Sequence, residues 1–115
     1  MNKYHAKKLH TPDGVFHSQA EYDRWRELRL YEMAGVISEL RRQVPYELIP
    51  AQYETAGKRK KCVERACVYY ADFVYKQDGK EIVEDYKGAK TDDYIIKRKL
   101  MLYLHGIRIK ETRYE

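Results

Sequence analysis

Asp72, Asp85 and Lys87 are the residues of this chain whose types and spacing could do chemistry. If 78–79 forms a two-residue turn between two strands, Asp72 lies directly opposite Asp85, and their Cβ atoms are about 5 Å apart on one face. Lys87 lies two positions beyond Asp85 and points to the same face, whereas Glu84 points to the other. Facing carboxylates are unfavourable unless a cation lies between them, and Mg²⁺ prefers oxygen ligands. With a lysine beside the metal, this arrangement favours hydrolysis of a phosphodiester bond.

A structural interpretation of the same residues stays open from spacing alone. The two-residue turn is an assumption, because a one-residue bulge would change the pairing. Asp72 would then be an exposed strand acid, and Asp85 and Lys87 would form an ion pair that stabilises the fold by at most about 1 kcal/mol. The chain would in that case be a DNA-packing or partner-binding protein that binds no metal.

The hairpin that would hold these residues has a clear signal in the sequence. Residues 63–75 are rich in β-branched and aromatic side chains, which predicts a strand. Asp78-Gly79 is typical of a tight hairpin turn. Residues 81–87 then form the returning strand, which Gly88 closes. The two aspartates are therefore expected on neighbouring strands.

Two helices are predicted on either side of this hairpin in sequence. Ser18 opens the first, with Glu21 at the spacing of a capping box, and Gly35 ends it. Thr91 caps the second and Gly106 ends it. The apolar face of the second helix is predicted to comprise Ile96, Leu100, Tyr103 and Leu104.

The remaining segments complete a single domain that spans residues 1–115. They are interpreted as an irregular basic arm (1–17), an extended segment broken near Pro45 (37–48), a polar basic loop (54–61) and a short last strand (107–112). The order is helix, strand, strand, strand, helix, strand. This order predicts an α/β fold with a mixed sheet flanked by helices.

Composition and charge favour a polyanionic partner. The net charge is +5 and the pI is about 9.1. No apolar run approaches the roughly 20 residues of a membrane span, and the N-terminus lacks the pattern of a secretory signal, so a cytoplasmic location is expected.

The two cysteines are expected to be free. If Cys62 and Cys67 share a strand they lie roughly 16 Å apart, too far for a disulfide. We therefore expect free thiols, and no zinc site because no second ligand pair stands nearby.

Asp72 and the Asp85-Tyr86-Lys87 segment resemble the PD-(D/E)XK signature of restriction-endonuclease-like nucleases. The whole chain is similar to a family of short phage and prophage proteins with that fold. The resemblance is carried by Lys3 to Lys7, Phe16 to Glu21, Ala34 to Ile37, Tyr46 to Pro50, Tyr70 to Phe73, Val83 to Gly88 and Lys90-Thr91. One departure is Ala71, which stands where the signature has proline.

The resemblance implies a restriction-endonuclease-like core and a role for each matching residue. Asp72 and Asp85 would be ligands of Mg²⁺ or Mn²⁺, and Lys87 would be the catalytic lysine. Glu21 would complete the metal shell, directly or through water. Glu84 is the rival of Asp85 but ranks lower, because the register points it away. No organic cofactor is expected.

A metal-dependent DNA endonuclease is the function predicted from these observations. Small members of the superfamily resolve Holliday junctions, so branched DNA and a homodimer are expected, in phage recombination or replication. A nicking or single-strand-specific nuclease and a non-catalytic DNA-binding protein are the alternatives.

His5, His10 and His17 are interpreted as surface residues at no ligand spacing. Candidate contacts to the DNA backbone are Arg41, Arg42, Lys58, Arg59, Lys60, Lys61, Lys90, Lys97, Arg98 and Lys99.

Overall fold

Eight strands and two helices make up the part of the chain that the structure, a computed structural model, describes: residues 8–87 and 89–113. The first seven residues of the predicted arm and Gly88 lie outside these ranges. The elements are, in chain order, β1 (Leu9–Thr11), β2 (Gly14–Phe16), α1 (Gln19–Met33), β3 (Ser38–Ile49), β4 (Gln52–Ala56), β5 (Arg59–Glu64), β6 (Cys67–Gln77), β7 (Lys80–Tyr86), α2 (Asp92–His105) and β8 (Lys110–Thr112).

The central sheet has four strands in the order β3-β6-β7-β8. The first three strands pair in antiparallel fashion, and β8 joins β7 in parallel. The prediction of an α/β fold with a mixed sheet and two helices is confirmed at this level. In the described part of the chain, neither helix is both long enough and apolar enough to span a membrane.

The turn between β6 and β7 has the predicted two residues. Asp78 and Gly79 have φ angles of 53° and 77°, which are the left-handed values that a type I′ turn requires. The ladder runs from the Gln77–Lys80 pair to the Phe73–Glu84 pair. Continued by one step, this register places Asp72 across from Asp85.

The two helices cover opposite faces of the sheet. Phe73 and Val74 are consecutive on β6 and so point to different faces. Phe73 packs in a cluster with Trp25 and Leu28 of α1, whereas Val74 packs in another with Met101 of α2. Each helix buries its apolar side against one face, as in other layered α/β proteins.

The predicted helix ends are confirmed. Ser18 accepts a hydrogen bond from the Glu21 N–H at 3.1 Å, and α1 stops two residues before Gly35. Thr91 accepts from the Tyr94 N–H, and Gly106 takes the left-handed conformation with φ 66°. Both starts use a side-chain oxygen to satisfy a backbone N–H that has no partner inside the helix.

The predicted boundaries of the extended segments are wrong in three places. Residues 54–61 are not a loop, because they lie in the β4–β5 hairpin, which turns at Gly57-Lys58. The predicted strand 63–75 is divided between β5 and β6, so Cys62 and Cys67 lie on different strands, and both are free. No break occurs at Pro45, since β3 is an edge strand and tolerates a residue without an N–H.

Smaller corrections concern the arm, the last strand and α2. The described part of the arm is a β1–β2 hairpin rather than irregular chain, and β8 begins at Lys110 rather than 107. The buried residues of α2 are Tyr94 and Met101. Of the predicted face only Leu100 packs against the core. The side chains of Ile96, Tyr103 and Leu104 are exposed.

Candidate active site

A cavity of about 390 Å³ opens where β6 and β7 meet the start of α2. Asp72 and Asp85 line it, together with Lys87, His17 and Lys97. These residues come from both hairpin strands, from the segment before α1 and from α2. The cavity therefore brings the sequence-predicted pair of aspartates and the lysine together.

Asp72 lies in the middle of β6 and its carboxylate is held from two sides. It is 9% exposed. One oxygen accepts from the Tyr86 N–H at 2.9 Å, and the other accepts from Gln43 Nε2 at 3.2 Å. Gln43 lies opposite Asp72 on β3 and has φ 53°, a left-handed value that costs a non-glycine residue conformational energy. Sequence reasoning missed Gln43, because nothing in the sequence marks a strand glutamine as strained.

Asp85 lies at the end of β7 and is 1% exposed. Its Oδ1 accepts from the Tyr69 hydroxyl at 3.0 Å. Its Oδ2 is 3.4 Å from Lys87 Nζ, but has no hydrogen-bond partner among the described residues. Lys87 is about one-third exposed, and its ammonium also lies 4.7 Å from the centre of the Tyr94 ring. The ring and the carboxylate thus hold the lysine at the cavity.

Burial and a neighbouring carboxylate raise the pKa value of each aspartate. Burial, and then the charge of Asp72, raises the pKa of Asp85 to about 6, although Lys87 opposes the shift. Burial also raises the pKa of Asp72, and the nearby charge of Glu21 adds to this, while the Tyr86 N–H lowers it. Carboxyls with raised pKa values in a cleft are typical of functional sites.

Glu21 reaches the same site from the first turn of α1. It is 4% exposed, and the Ser18 hydroxyl accepts a hydrogen bond from its backbone N–H at 3.1 Å. Its Oε1 is 3.3 Å from His17 Nδ1, and its Oε2 is 3.8 Å from Arg42 Nη2. Oε2 is buried and has no hydrogen-bond partner among the described residues.

His17 is closer to a possible metal position than the sequence suggested. One ligand atom each from His17, Glu21 and Asp72 lie within 4.8 Å of one another, a spacing that can hold a metal ion. His17 itself is exposed, as predicted, but its Nδ1 faces the buried acids. The interpretation that it stands at no ligand spacing is wrong. The spacing of His17 and Glu21, four residues apart across a helix start, was the signal that could have found it.

Glu84 is engaged on the opposite face of the sheet. Arg24 donates to both of its oxygens, at 2.7 and 2.8 Å. The hydroxyls of Tyr75 and Thr112 donate to it as well. Burial acts to raise the pKa of Glu84, but the hydrogen bonds from Arg24 and Tyr75 outweigh it and hold the pKa below its ordinary value. Glu84 is therefore part of a satisfied buried network.

Several of the predicted DNA contacts already have partners within the protein. The Arg42 guanidinium lies 3.8 Å from the Phe16 ring centre and donates to the Val15 carbonyl. Lys90 and Arg98 both pair with Glu111, at 3.0 and 3.1 Å.

The other predicted contacts are more open. Arg41 forms an exposed ion pair with Glu81. Lys97 lines the cavity, and Lys99 is exposed on α2. The whole group Lys58, Arg59, Lys60 and Lys61 is exposed on the β4–β5 hairpin. Of these predicted contacts, Lys97 thus lines the same cavity as the two aspartates and Lys87.

The chemistry of the donor set fits a hard divalent cation. Glu21, Asp72 and Asp85 offer carboxylate oxygens, which are the ligands that Mg²⁺ and Mn²⁺ take. Two of these oxygens, one on Glu21 and one on Asp85, are buried without a hydrogen-bond donor in the described residues. Buried charge of this kind is costly unless it is paired or binds a metal.

One comparison with known proteins identifies a family. The model of a family described as "Protein of unknown function (DUF1064)" matches residues 1–112, so the chain belongs to that family. No curated protein matches the chain, and no solved structure does.

Proposed function

We propose that this DUF1064 protein is a metal-dependent endonuclease that hydrolyses phosphodiester bonds in DNA, on a restriction-endonuclease-like core. One observation carries the proposal. The buried Asp72 carboxylate belongs to two groups: it lines the cavity with the buried Asp85 and with Lys87, and one of its oxygens lies within 4.8 Å of a ligand atom each from the buried Glu21 and from His17. A purely structural role does not explain the cost of burying these acids, because Asp72 has no ion pair among the described residues and Asp85 has only Lys87, at 3.4 Å.

The carboxylates would hold Mg²⁺ or Mn²⁺. Asp72 and Asp85 would be ligands, and Glu21 would complete the shell directly or through water. A bound divalent cation supplies Lewis-acid stabilisation of the phosphate and lowers the pKa of water. Gln43 and the Tyr86 N–H fix the orientation of the Asp72 carboxylate, and the Tyr69 hydroxyl fixes that of Asp85. Such fixed ligands need little rearrangement when a metal binds.

Lys87 is the residue of the chain that would act on the phosphate. Its ammonium is held at the cavity between Asp85 and the Tyr94 ring. From there it would donate a hydrogen bond to a phosphate oxygen or to the attacking water, and stabilise the negative charge that builds up. Lys97 also lines the cavity and would contact the neighbouring phosphate.

Branched DNA is the proposed substrate, and a homodimer the proposed assembly, for cutting two strands of a Holliday junction in phage recombination or replication. Support for a second copy comes from α2. Ile96, Tyr103 and Leu104 are 58%, 84% and 46% exposed. Exposed apolar side chains of this kind on one helix offer a surface that another copy could cover.

A cleavage assay tests the proposal. Labelled four-way junction, duplex and single-stranded DNA would each be incubated with Mg²⁺, Mn²⁺ or EDTA. The wild type would be compared with Asp85→Asn and with the control Glu81→Gln, which removes an exposed acid near the other end of the same strand. We expect cutting that needs metal, survives in the control and disappears in Asp85→Asn.

The preferred substrate would then define the activity. Preference for the junction would support a resolvase, and preference for single strands or for nicking would favour the alternatives. Absence of cutting by folded wild type on all three substrates in both metals would overturn the proposal.

A further inference from the structure

The β4–β5 hairpin is an arm that stands away from the rest of the protein. All five residues of β4 and all six of β5 are exposed. The two strands form a sheet of their own, separate from the central sheet. In the described part of the chain they contact each other extensively and hardly touch the other elements. A bare two-stranded hairpin is marginally stable in water, so an arm of this kind is suited to bind something else.

The charge of the arm is strongly positive. Residues 52–65 contain five cationic side chains and two acidic ones. The cationic residues are Lys58, Arg59, Lys60, Lys61 and Arg65. Such a surface attracts phosphate groups, and it attracts them with a strong dependence on salt.

The cations lie on both faces of the arm and at its tip. Lys60 pairs with Thr55, and its ammonium lies 5.4 Å from the ring centre of Tyr53 on that face. Lys61 pairs with Glu54 and points to the other face, since neighbouring strand residues alternate. Lys58 lies in the turn at the tip. A partner with one flat charged surface would meet only one of these faces.

We propose that this arm inserts into the major groove of B-form duplex DNA and holds the DNA beside the cavity. The major groove is about 12 Å wide and admits a two-stranded β-ribbon. Phosphates line both walls of a groove, so a ribbon inside it meets negative charge on both faces. Lys60 and Lys61, which lie on opposite faces of the arm, would each meet phosphates of one wall.

The arm lies close enough to the candidate site for one DNA duplex to contact both. The arm leaves the central sheet between the end of β3 and the start of β6, where Ile49 pairs with Cys67. Asp72 lies five residues further along β6, roughly 16 Å away. The β6–β7 turn lies at the opposite end of these strands. This inference rests on the proposed function only in taking DNA as the substrate, and the binding experiment does not depend on cutting.

The experiment measures DNA binding in EDTA, where no cutting occurs. Fluorescence anisotropy of a labelled duplex would be recorded over a range of salt concentrations. Lys60→Gln/Lys61→Gln removes one cation from each face of the arm. The matched control, Lys76→Gln/Lys80→Gln, removes two exposed cations at the far hairpin. Because each phosphate contact contributes about 0.9 to the slope of log K against log salt, the arm variant should lower the slope by about 1.8 and weaken binding at least about tenfold.

Two further readouts separate groove insertion from contact with the DNA surface. Methylation of guanine N7, in the major groove, should interfere with binding, whereas methylation of adenine N3, in the minor groove, should not. Duplex RNA should compete poorly, because its major groove is too narrow and deep to admit side chains. Thermal unfolding of both variants should match wild type, because the substituted lysines are exposed.

Three results would overturn the inference: equal binding by the arm variant and the control, interference from the minor groove alone, or equal competition by duplex RNA. A shift to a monomer in the arm variant, with DNA binding unchanged, would show that the arm contacts a second copy instead. If no DNA is cut but the arm variant binds weakly, the nuclease proposal fails and the inference stands. If cutting is normal and the arm variant binds normally, only the inference fails.

Discussion

Asp85→Asn should make the metal-free protein more stable at neutral pH, although it should abolish cutting. The Asp85 carboxyl is 1% exposed, and burial, followed by the charge of Asp72, raises its pKa from 3.8 to about 6. The pKa of Asp85 is higher in the folded state than in the unfolded state. The stability that protonated Asp85 contributes is therefore fully present below about pH 4, and it is lost as the pH rises through about 6. At neutral pH the ionised carboxylate therefore opposes folding.

The size of the effect follows from the shift. A rise from 3.8 to about 6 is about two pKa units, or about 3 kcal/mol at 1.36 kcal/mol per unit. An asparagine keeps the oxygen that accepts from Tyr69 at 3.0 Å, but its amide nitrogen would face the Lys87 ammonium. We therefore expect a net gain of about 2 kcal/mol, which is roughly 8 °C in melting temperature for a domain of this size.

Thermal unfolding in EDTA at neutral pH and near pH 4 measures this gain. The difference between Asp85→Asn and wild type should be large at neutral pH and small near pH 4, where Asp85 is protonated in the folded state and about half protonated in the unfolded state. Adding Mn²⁺ should raise the melting temperature of wild type and of Glu81→Gln, but hardly that of Asp85→Asn. An Asp85→Asn variant that is less stable than wild type at neutral pH in EDTA would refute the reasoning, because the carboxylate would then be stabilising without metal.

Three further perturbations test other parts of the site. Lys87→Met should slow cutting by about 100-fold or more, since it removes a donor to the developing charge, while Lys80→Met at the far hairpin should not; equal single-turnover rates for the two variants would exclude the role of Lys87. Arg24→Met should lower the free energy of unfolding in urea by about 3–5 kcal/mol, because it leaves the Glu84 carboxylate buried without its cation; unchanged stability would contradict this. His17→Gln should weaken binding of Co²⁺ in calorimetry more than binding of Mg²⁺, because imidazole suits the softer metal; unchanged binding of Co²⁺ would show that His17 is not a ligand.

The central hairpin could be predicted because local chemistry determines it. Asp78-Gly79 favours one turn type, that turn has two residues, and its length sets the whole register of β6 against β7. The separation of Glu84 from Asp85 follows from the same register. The helix ends were equally local, since Ser18 and Thr91 satisfy N–H groups only three residues away.

The parts that the sequence did not reveal depend on contacts between distant segments. Helix α2 is apolar on more than one side, so the pattern of Ile96, Tyr103 and Leu104 could not show that Tyr94 and Met101 face the sheet. Gln43 joins the candidate site only because β3 pairs with β6.

The β4–β5 hairpin could not be predicted because its composition is that of a loop. Its strands are polar on both faces, as a loop is, because no face of the arm packs on a core. Periodicity of apolar residues therefore carried no signal there.

Because the arm is separate from the rest of the protein, its sequence can change independently of the core. Because the arm buries almost nothing against the body, its length and charge can vary while the core and the acidic cluster keep their packing. Affinity for a partner can then be altered without loss of folding stability. The arm behaves as an interchangeable module, and grafting a longer or differently charged hairpin between Ile49 and Cys67 is a direct way to engineer what this protein holds.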